Sequence, residues 1–374
     1  MRIEPYRILF PLGVVYALAG SLLWLVHATG HLAYPGPLHR ILMIQGFELA
    51  FIVGFALTAM PGFLHAEKCT PVELAAAVTL VAGFGVFAFA RQTAVAEACF
   101  ALTVLLIVAA ALRRLARASQ PPAVELLLAG AGLMLGLAGG IGTLADAAGW
   151  RREPVPGFGL RMVSLGMVLL MVLGVGGLLV PTFTGVRQPL VIAKIGGPHE
   201  RPGRRLFYGT LAALFLLAFA LDSRGLRFAG GLVRAVAASP VLLLVWKLGR
   251  PPARRDLFSL TLRTAGWCVF AGLWMAVLLP RYWLAGYHVV FIGGFGLLTL
   301  GIATRVVVAH GGHAMEWERR VLTPWAAGAL VLALVARVAG EFLPRAYFML
   351  LGASGVAWSA GWLLWAWRAG PLIL

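Results

Sequence analysis

Histidine is the side chain in this sequence with the most chemistry to offer, as a metal ligand or a proton carrier near neutral pH. There are eight, at positions 27, 31, 39, 65, 199, 288, 310 and 313. His27 and His31 stand at i and i+4, a spacing that puts two imidazoles on one helix face and suits chelation of a metal such as copper. Gly30 and the run Tyr34-Pro35-Gly36-Pro37 signal that the helix is ending there, which works against that geometry. His39 opens one apolar run, and His288 and His310 bracket another. At the helical rise of about 1.5 Å per residue the last two stand roughly 33 Å apart and cannot share an ion. Gly293, Gly294 and Gly296 lie between them and remove side-chain bulk, so that a neighbouring helix or a flat ligand could approach the backbone. The bland alternative for every one of these histidines is a boundary residue that meets headgroups or water. Cys69, Cys99 and Cys268 are far apart and form no CxxC, and no MxxM spacing offers soft ligands.

The other candidates are ionisable groups inside apolar runs. Glu48 falls roughly 12 Å into the run that follows Arg40. A carboxylate in hydrocarbon is expensive and faces the bundle interior with a partner, or is protonated. Arg161, Arg234, Arg263, Arg305 and Arg337 also lie within apolar runs. Arg161, Arg234 and Arg337 are expected at the same membrane depth as Glu48, as candidate partners for it. Snorkelling to the interface is the competing account, and the stronger one for Arg161 and Arg234 near their span ends.

The elements that must position these groups follow from composition. The 374 residues are 61% hydrophobic and 12% charged, with a mean hydropathy of +0.90. A soluble domain of this length could not hide that much apolar surface. Twelve apolar segments, 8–27, 40–64, 72–90, 94–112, 123–144, 158–180, 207–221, 229–246, 258–279, 284–309, 322–340 and 346–366, are each long enough for a membrane span or close to it. The fold class is therefore all-α: a polytopic membrane protein with a bundle of about 12 transmembrane helices in contact with the lipid bilayer. It reads as a single transmembrane domain over 1–374, with six-helix halves at 1–181 and 207–374 joined by a basic loop over 182–206. The net charge of +17 is a topology signal and not a nucleic-acid footprint. With a cytoplasmic N-terminus, eighteen Lys/Arg fall on the cytoplasmic side and eight on the other, which places both termini in the cytoplasm. The fifth segment, with Gly130, Gly132, Gly136, Gly139, Gly140 and Gly142, reads as a close-packing helix. Pro61 is expected to kink or end the second span. The tryptophans Trp358, Trp362, Trp365 and Trp367 read as an aromatic belt, and Trp246, Trp267 and Trp274 as residues near interfaces or neighbours.

Three stretches resemble the NnrS family, in order and over nearly the whole chain. IGGFGLLTLGIATRVVVAHGGH resembles the family's tenth-helix signature, through His288, Thr304, Arg305, His310 and the glycines that follow. IQGFELAFIVGFALTAMP resembles its second helix, through Gly46, Phe47, Gly54, Phe55, Thr58, Ala59 and Pro61. GGLLVPTFT resembles its Gly-Arg-Val-Ile-Pro-x-Phe-Thr element, keeping Gly177, Pro181, Phe183 and Thr184. The sequence departs from the pattern as well. The family's second helix opens Trp-His-x-His-Glu, of which His39 alone is kept, with Leu38, Ile41 and Leu42 at the other positions, and Leu178 replaces an arginine. This is a divergent member.

The resemblance implies haem, and with it copper, in a bacterial inner membrane protein of nitric oxide response or metabolism in denitrification and nitrosative stress. It implies His39, His288 and His310 as cofactor candidates. His39 and His288 open spans two and ten on the same side, the two helices that carry haem-ligating histidines in haem–copper oxidases, so a bis-histidine haem between them is an expectation. Spans six to nine hold no histidine, which argues against an oxidase or reductase with a binuclear centre. A redox partner, if any, is not indicated. Two other classes compete: a twelve-helix secondary transporter, favoured if Glu48 pairs with a buried arginine as an ion relay, and a cofactor-free membrane subunit. Against transport, the loop HAEKCTP lacks the charged pattern of the major facilitator family, and the halves show no obvious repeat.

Overall fold

A computed structural model describes residues 3–119, 121–186 and 202–373. Most of the expected basic loop, including His199, lies outside the described residues. The described residues are helical, without strands. Twelve helices are long and apolar enough to cross a membrane: Tyr6–Ala28, Gly36–Phe63, Pro71–Phe89, Thr93–Leu115, Leu126–Ala147, Phe158–Phe183, Gly203–Ser223, Arg227–Val245, Leu257–Leu278, Pro280–His310, Pro324–Phe342 and Pro344–Ile373. They are called the first to twelfth spans below. Only helices satisfy every backbone group within one apolar segment, so hydrophobic length alone dictates this architecture.

Local chemistry sets the span ends. Thr70 caps the third span: its hydroxyl accepts from the Glu73 N–H (3.2 Å), and the Glu73 carboxylate accepts from the Thr70 N–H (2.8 Å). The same carboxylate receives both Arg113 and Arg114 at 2.9 Å. Thr323, just before Pro324, caps the eleventh span through its hydroxyl alone, which accepts from the Ala326 N–H at 3.2 Å. Pro61 marks the end of the second span, one of the two outcomes expected for it. It sits in the last turn, two residues before the end at Phe63, and Pro181 stands at the same distance from the end at Phe183.

The second, sixth and tenth spans share a feature that sequence reading did not find. Their opening turns of α-helix give way to wider π-helical turns at Leu42–Glu48, Met162–Val168 and Val289–Gly296. A shorter one, Val241–Val245, ends the eighth span. π turns are rare and cluster at functional sites, because the widened ring re-aims side chains. The long π turns recur at every fourth span, a period different from the expected halves.

The chain divides into two compact units, and the division cuts the second span. One unit comprises Met1–Pro5 and Ile52–Gly249. Within it the fifth span meets the sixth through Gly132, Gly136 and Gly139, where a methyl group would overlap Leu170, Met167 or the Gly159 carbonyl, and the fourth through Gly140, against Phe100. Gly130 and Gly142 face open space. Trp246 is buried against Gly176. Gly176→Val is expected to destabilise this unit by about 1–3 kcal/mol through overpacking, read as a lowered unfolding midpoint in detergent. Arg234 pairs with Asp222 at 2.9 Å, both fully buried. Arg161 donates to the Pro156 carbonyl at 3.0 Å.

The other unit comprises Tyr6–Phe51 and Arg250–Leu374. Its core corrects the aromatic-belt expectation. Trp358, Trp362 and Trp365 are buried, and only Trp367 lies out at 68% exposure. Spaced i, i+4 and i+7, the first three share one helix face, and that face turns inward onto Phe47 and Phe51, with ring centroids 5.0–6.1 Å apart. The Trp365 indole N–H donates to the Thr304 hydroxyl at 2.9 Å. Ser21 and Ser359 bond at 2.9 Å between the first and twelfth spans.

Candidate functional site

The second unit also gathers the polar groups of interest. His39 stands in the first turns of the second span, just ahead of its π segment. Its Nδ1 lies 2.8 Å from the Gly20 carbonyl of the first span. His288 stands immediately before the π segment of the tenth span, with Nδ1 2.8 Å from the Leu284 carbonyl one turn back. A carbonyl oxygen can only accept, so both Nδ1 atoms carry the proton and both Nε2 atoms present a lone pair. Neither Nε2 is hydrogen-bonded among the described residues. The two rings are half-buried and lie within electrostatic range of each other and of Arg337. Anchored Nδ1–H with a free Nε2 is how metal-binding imidazoles are held in protein sites.

The surroundings are aromatic. Trp24 stands edge-on to His39 at 5.5 Å, and Phe291 edge-on to His288 at 6.3 Å. Arg337 donates to Glu341 at 2.8 Å, one turn along the eleventh span, and its guanidinium lies 5.6 Å from the Tyr347 ring. The glycines of the tenth span are not a cradle for a flat ligand. A methyl group at Gly293 would meet Cys268 and Leu334, at Gly294 Val269, and at Gly296 Trp358. They serve helix packing, the first of the two roles that the sequence allowed.

His27 and His31 do not share a helix face. The helix ends at Ala28, and Gly30 takes a positive φ of 78°. His27 then donates to the Leu32 carbonyl at 2.8 Å, while His31, exposed, bonds the Thr29 hydroxyl at 2.9 Å. No group of three or more His, Cys, Asp or Glu among the described residues could hold a metal ion. His310 ends the tenth span, exposed, far from His288.

Glu48 finds none of its expected arginine partners. Arg337 is taken by Glu341, Arg234 by Asp222, and Arg161 bonds a backbone carbonyl. Glu48 closes the π segment of the second span and meets the Thr299 hydroxyl of the tenth at 3.5 Å. Arg305 reaches past the end of the tenth span instead, to Glu318 of the short helix Trp317–Val321, at 2.6 Å, with its guanidinium 4.5 Å from the Phe258 ring. Burial pushes the Glu318 carboxyl above the usual carboxylate range, and Arg305 pulls it back. Glu318 was missed in the sequence because its own helix is five residues long and has no apolar signature.

No curated protein matches this chain. The model of the NnrS protein family matches it over residues 2–374. With essentially its whole length matched, the chain belongs to the NnrS family.

Proposed function

We propose that this NnrS-family protein is a membrane haem protein, that His39 and His288 are the residues that would hold the haem, and that it acts in the bacterial response to nitric oxide or in its metabolism. One observation carries the ligand assignment. Two imidazoles from separate spans of one unit are each fixed through Nδ1 to a backbone carbonyl, and each leaves Nε2 without a hydrogen-bond donor among the described residues. Haem bound there would be held by His39 and His288 and would supply one-electron iron chemistry. The nitric oxide role rests on the family association.

The chain's own part is orientation and charge. The Gly20 carbonyl holds the His39 ring across from the first span, and the Leu284 carbonyl holds the His288 ring against its own helix. Trp24 and Phe291 wall the two rings with apolar edges. Arg337, partly neutralised by Glu341, contributes positive potential at the pair. In the topology proposed from the charge asymmetry, with both termini cytoplasmic in the inner membrane, this places the pair toward the outer face.

Copper gains no support, because His27 and His31 are turned to different acceptors and recruit no third ligand among the described residues. Transport loses the Glu48–arginine pair that favoured it. The test is a reduced-minus-oxidised difference spectrum, with metal analysis, on protein purified in detergent after expression with added haem precursor. A Soret band with stoichiometric iron is the expected result. No Soret band under those conditions overturns the proposal.

A further inference from the structure

Glu48 differs from the other buried acids of this chain. Glu73, Glu125, Asp222 and Glu318 each meet an arginine. Glu97 accepts a short hydrogen bond, 2.6 Å, from Thr143. Glu48 is only 7% exposed, and its one hydrogen bond among the described residues is the long 3.5 Å contact from the Thr299 hydroxyl. It stands twelve residues into a 28-residue span, and Thr299 nineteen residues into a 31-residue one, so both sit in the middle of the membrane thickness. Glu48 is no more than roughly 14 Å along the helix from His39.

The elements packed around Glu48 bring no compensating charge. On the second span no ionisable group lies between Arg40 and His65 except Glu48 itself. The first span, which meets the π segment through Tyr16 at Gly46 and through Gly20 at Met43, has no charged residue between Arg7 and His27. The tenth has none between His288 and Arg305, and Arg305 is committed to Glu318. The twelfth has none between Arg345 and Arg368, and it turns Trp358 and Trp362 onto Phe47, beside Glu48. The one side chain that reaches the Glu48 carboxyl group among the described residues, Thr299, is neutral. An ion without a partner at this depth carries the full cost of losing its water, and a carboxyl escapes that cost by taking a proton.

We propose that Glu48 is a proton-binding site, a carboxylic acid kept neutral in mid-membrane with its carboxyl group hydrogen-bonded to Thr299. The site stands on the geometry of the second and tenth spans and does not depend on haem. On the haem reading proposed above, a neutral acid at this depth would be a store of one proton against a change of charge at the outer histidines.

Infrared spectroscopy of the haem-free full-length chain in detergent or lipid tests it. The wild type is expected to show a protonated-carboxyl C=O band that moves to lower frequency in D2O and is missing in Glu48→Gln. In Glu48→Asp a band is expected at a changed frequency, and in Thr299→Val the Glu48 band should move upward as its hydrogen bond is lost. Absence of any such band in the wild type overturns the proposal, as does a band that survives unchanged in Glu48→Gln. A band unmoved in Thr299→Val overturns the role given to the hydroxyl. Because no haem is present, failure here is separable from failure of the haem assignment.

Discussion

His288→Ala should abolish the haem spectrum or turn a six-coordinate signal into a five-coordinate one. On the proposed assignment His39 and His288 would hold the haem together, so losing one should lower haem retention through purification on the order of a hundredfold or more, since even outer-shell ligand partners change metal affinity by 10–100-fold. His39→Ala should behave alike, because each ring is anchored independently, one to Gly20 and one to Leu284. Imidazole added to either variant should restore part of the six-coordinate spectrum by filling the vacated position. His310→Ala should leave the spectrum untouched, since His310 lies at the opposite end of the tenth span. A wild-type spectrum in both His39→Ala and His288→Ala would remove the pair from the site. Loss of signal in His310→Ala alone would move the site to the other face.

The second large effect is on stability. Arg234→Ala should destabilise the unit that holds it by about 3–5 kcal/mol, because it leaves the Asp222 carboxylate buried without its partner. The pair is made at 2.9 Å with neither side chain more than 2% exposed, and Arg234 also stacks on Phe219 at 4.9 Å. The Asp222 carboxylate packs directly against Gly230, where even a methyl group would overlap it. Replacing both partners with apolar residues, Asp222→Leu with Arg234→Leu, should cost much less than the single change, since no orphaned charge remains. Unfolding midpoints in detergent would settle it. Equal losses in the single and double variants would show that packing around Arg234, and not the ion pair, accounts for the effect.

Several side chains kept their partners hidden until the tertiary structure was known. Arg337 was a candidate partner for Glu48 and Arg234 was read chiefly as snorkelling to the interface, yet Arg337 pairs within its own helix and Arg234 is buried against an aspartate of a neighbouring one. Trp358, Trp362 and Trp365 were expected at the membrane boundary and are buried. The reason is common to both. A membrane span is apolar all round, so the periodicity that reveals the inward face of a soluble helix is weak, and the sequence does not say which way a given residue points. The π segments compound this, because each one rotates everything beyond it relative to an ideal helix.

What the sequence determined by itself was the kind of protein and the residues worth testing. Twelve apolar lengths can satisfy their backbones in lipid only as helices, and this holds whatever their neighbours are. The histidines at the openings of the second and tenth spans were also legible, because distance from a span end is counted along the chain. Only the tertiary structure decided that both of those rings turn Nδ1 to a carbonyl, that the glycines of the tenth span meet side chains, and that Glu48 meets a hydroxyl and no cation. Depth in the membrane is additive along one helix, whereas a partner depends on the rotation and spacing of two.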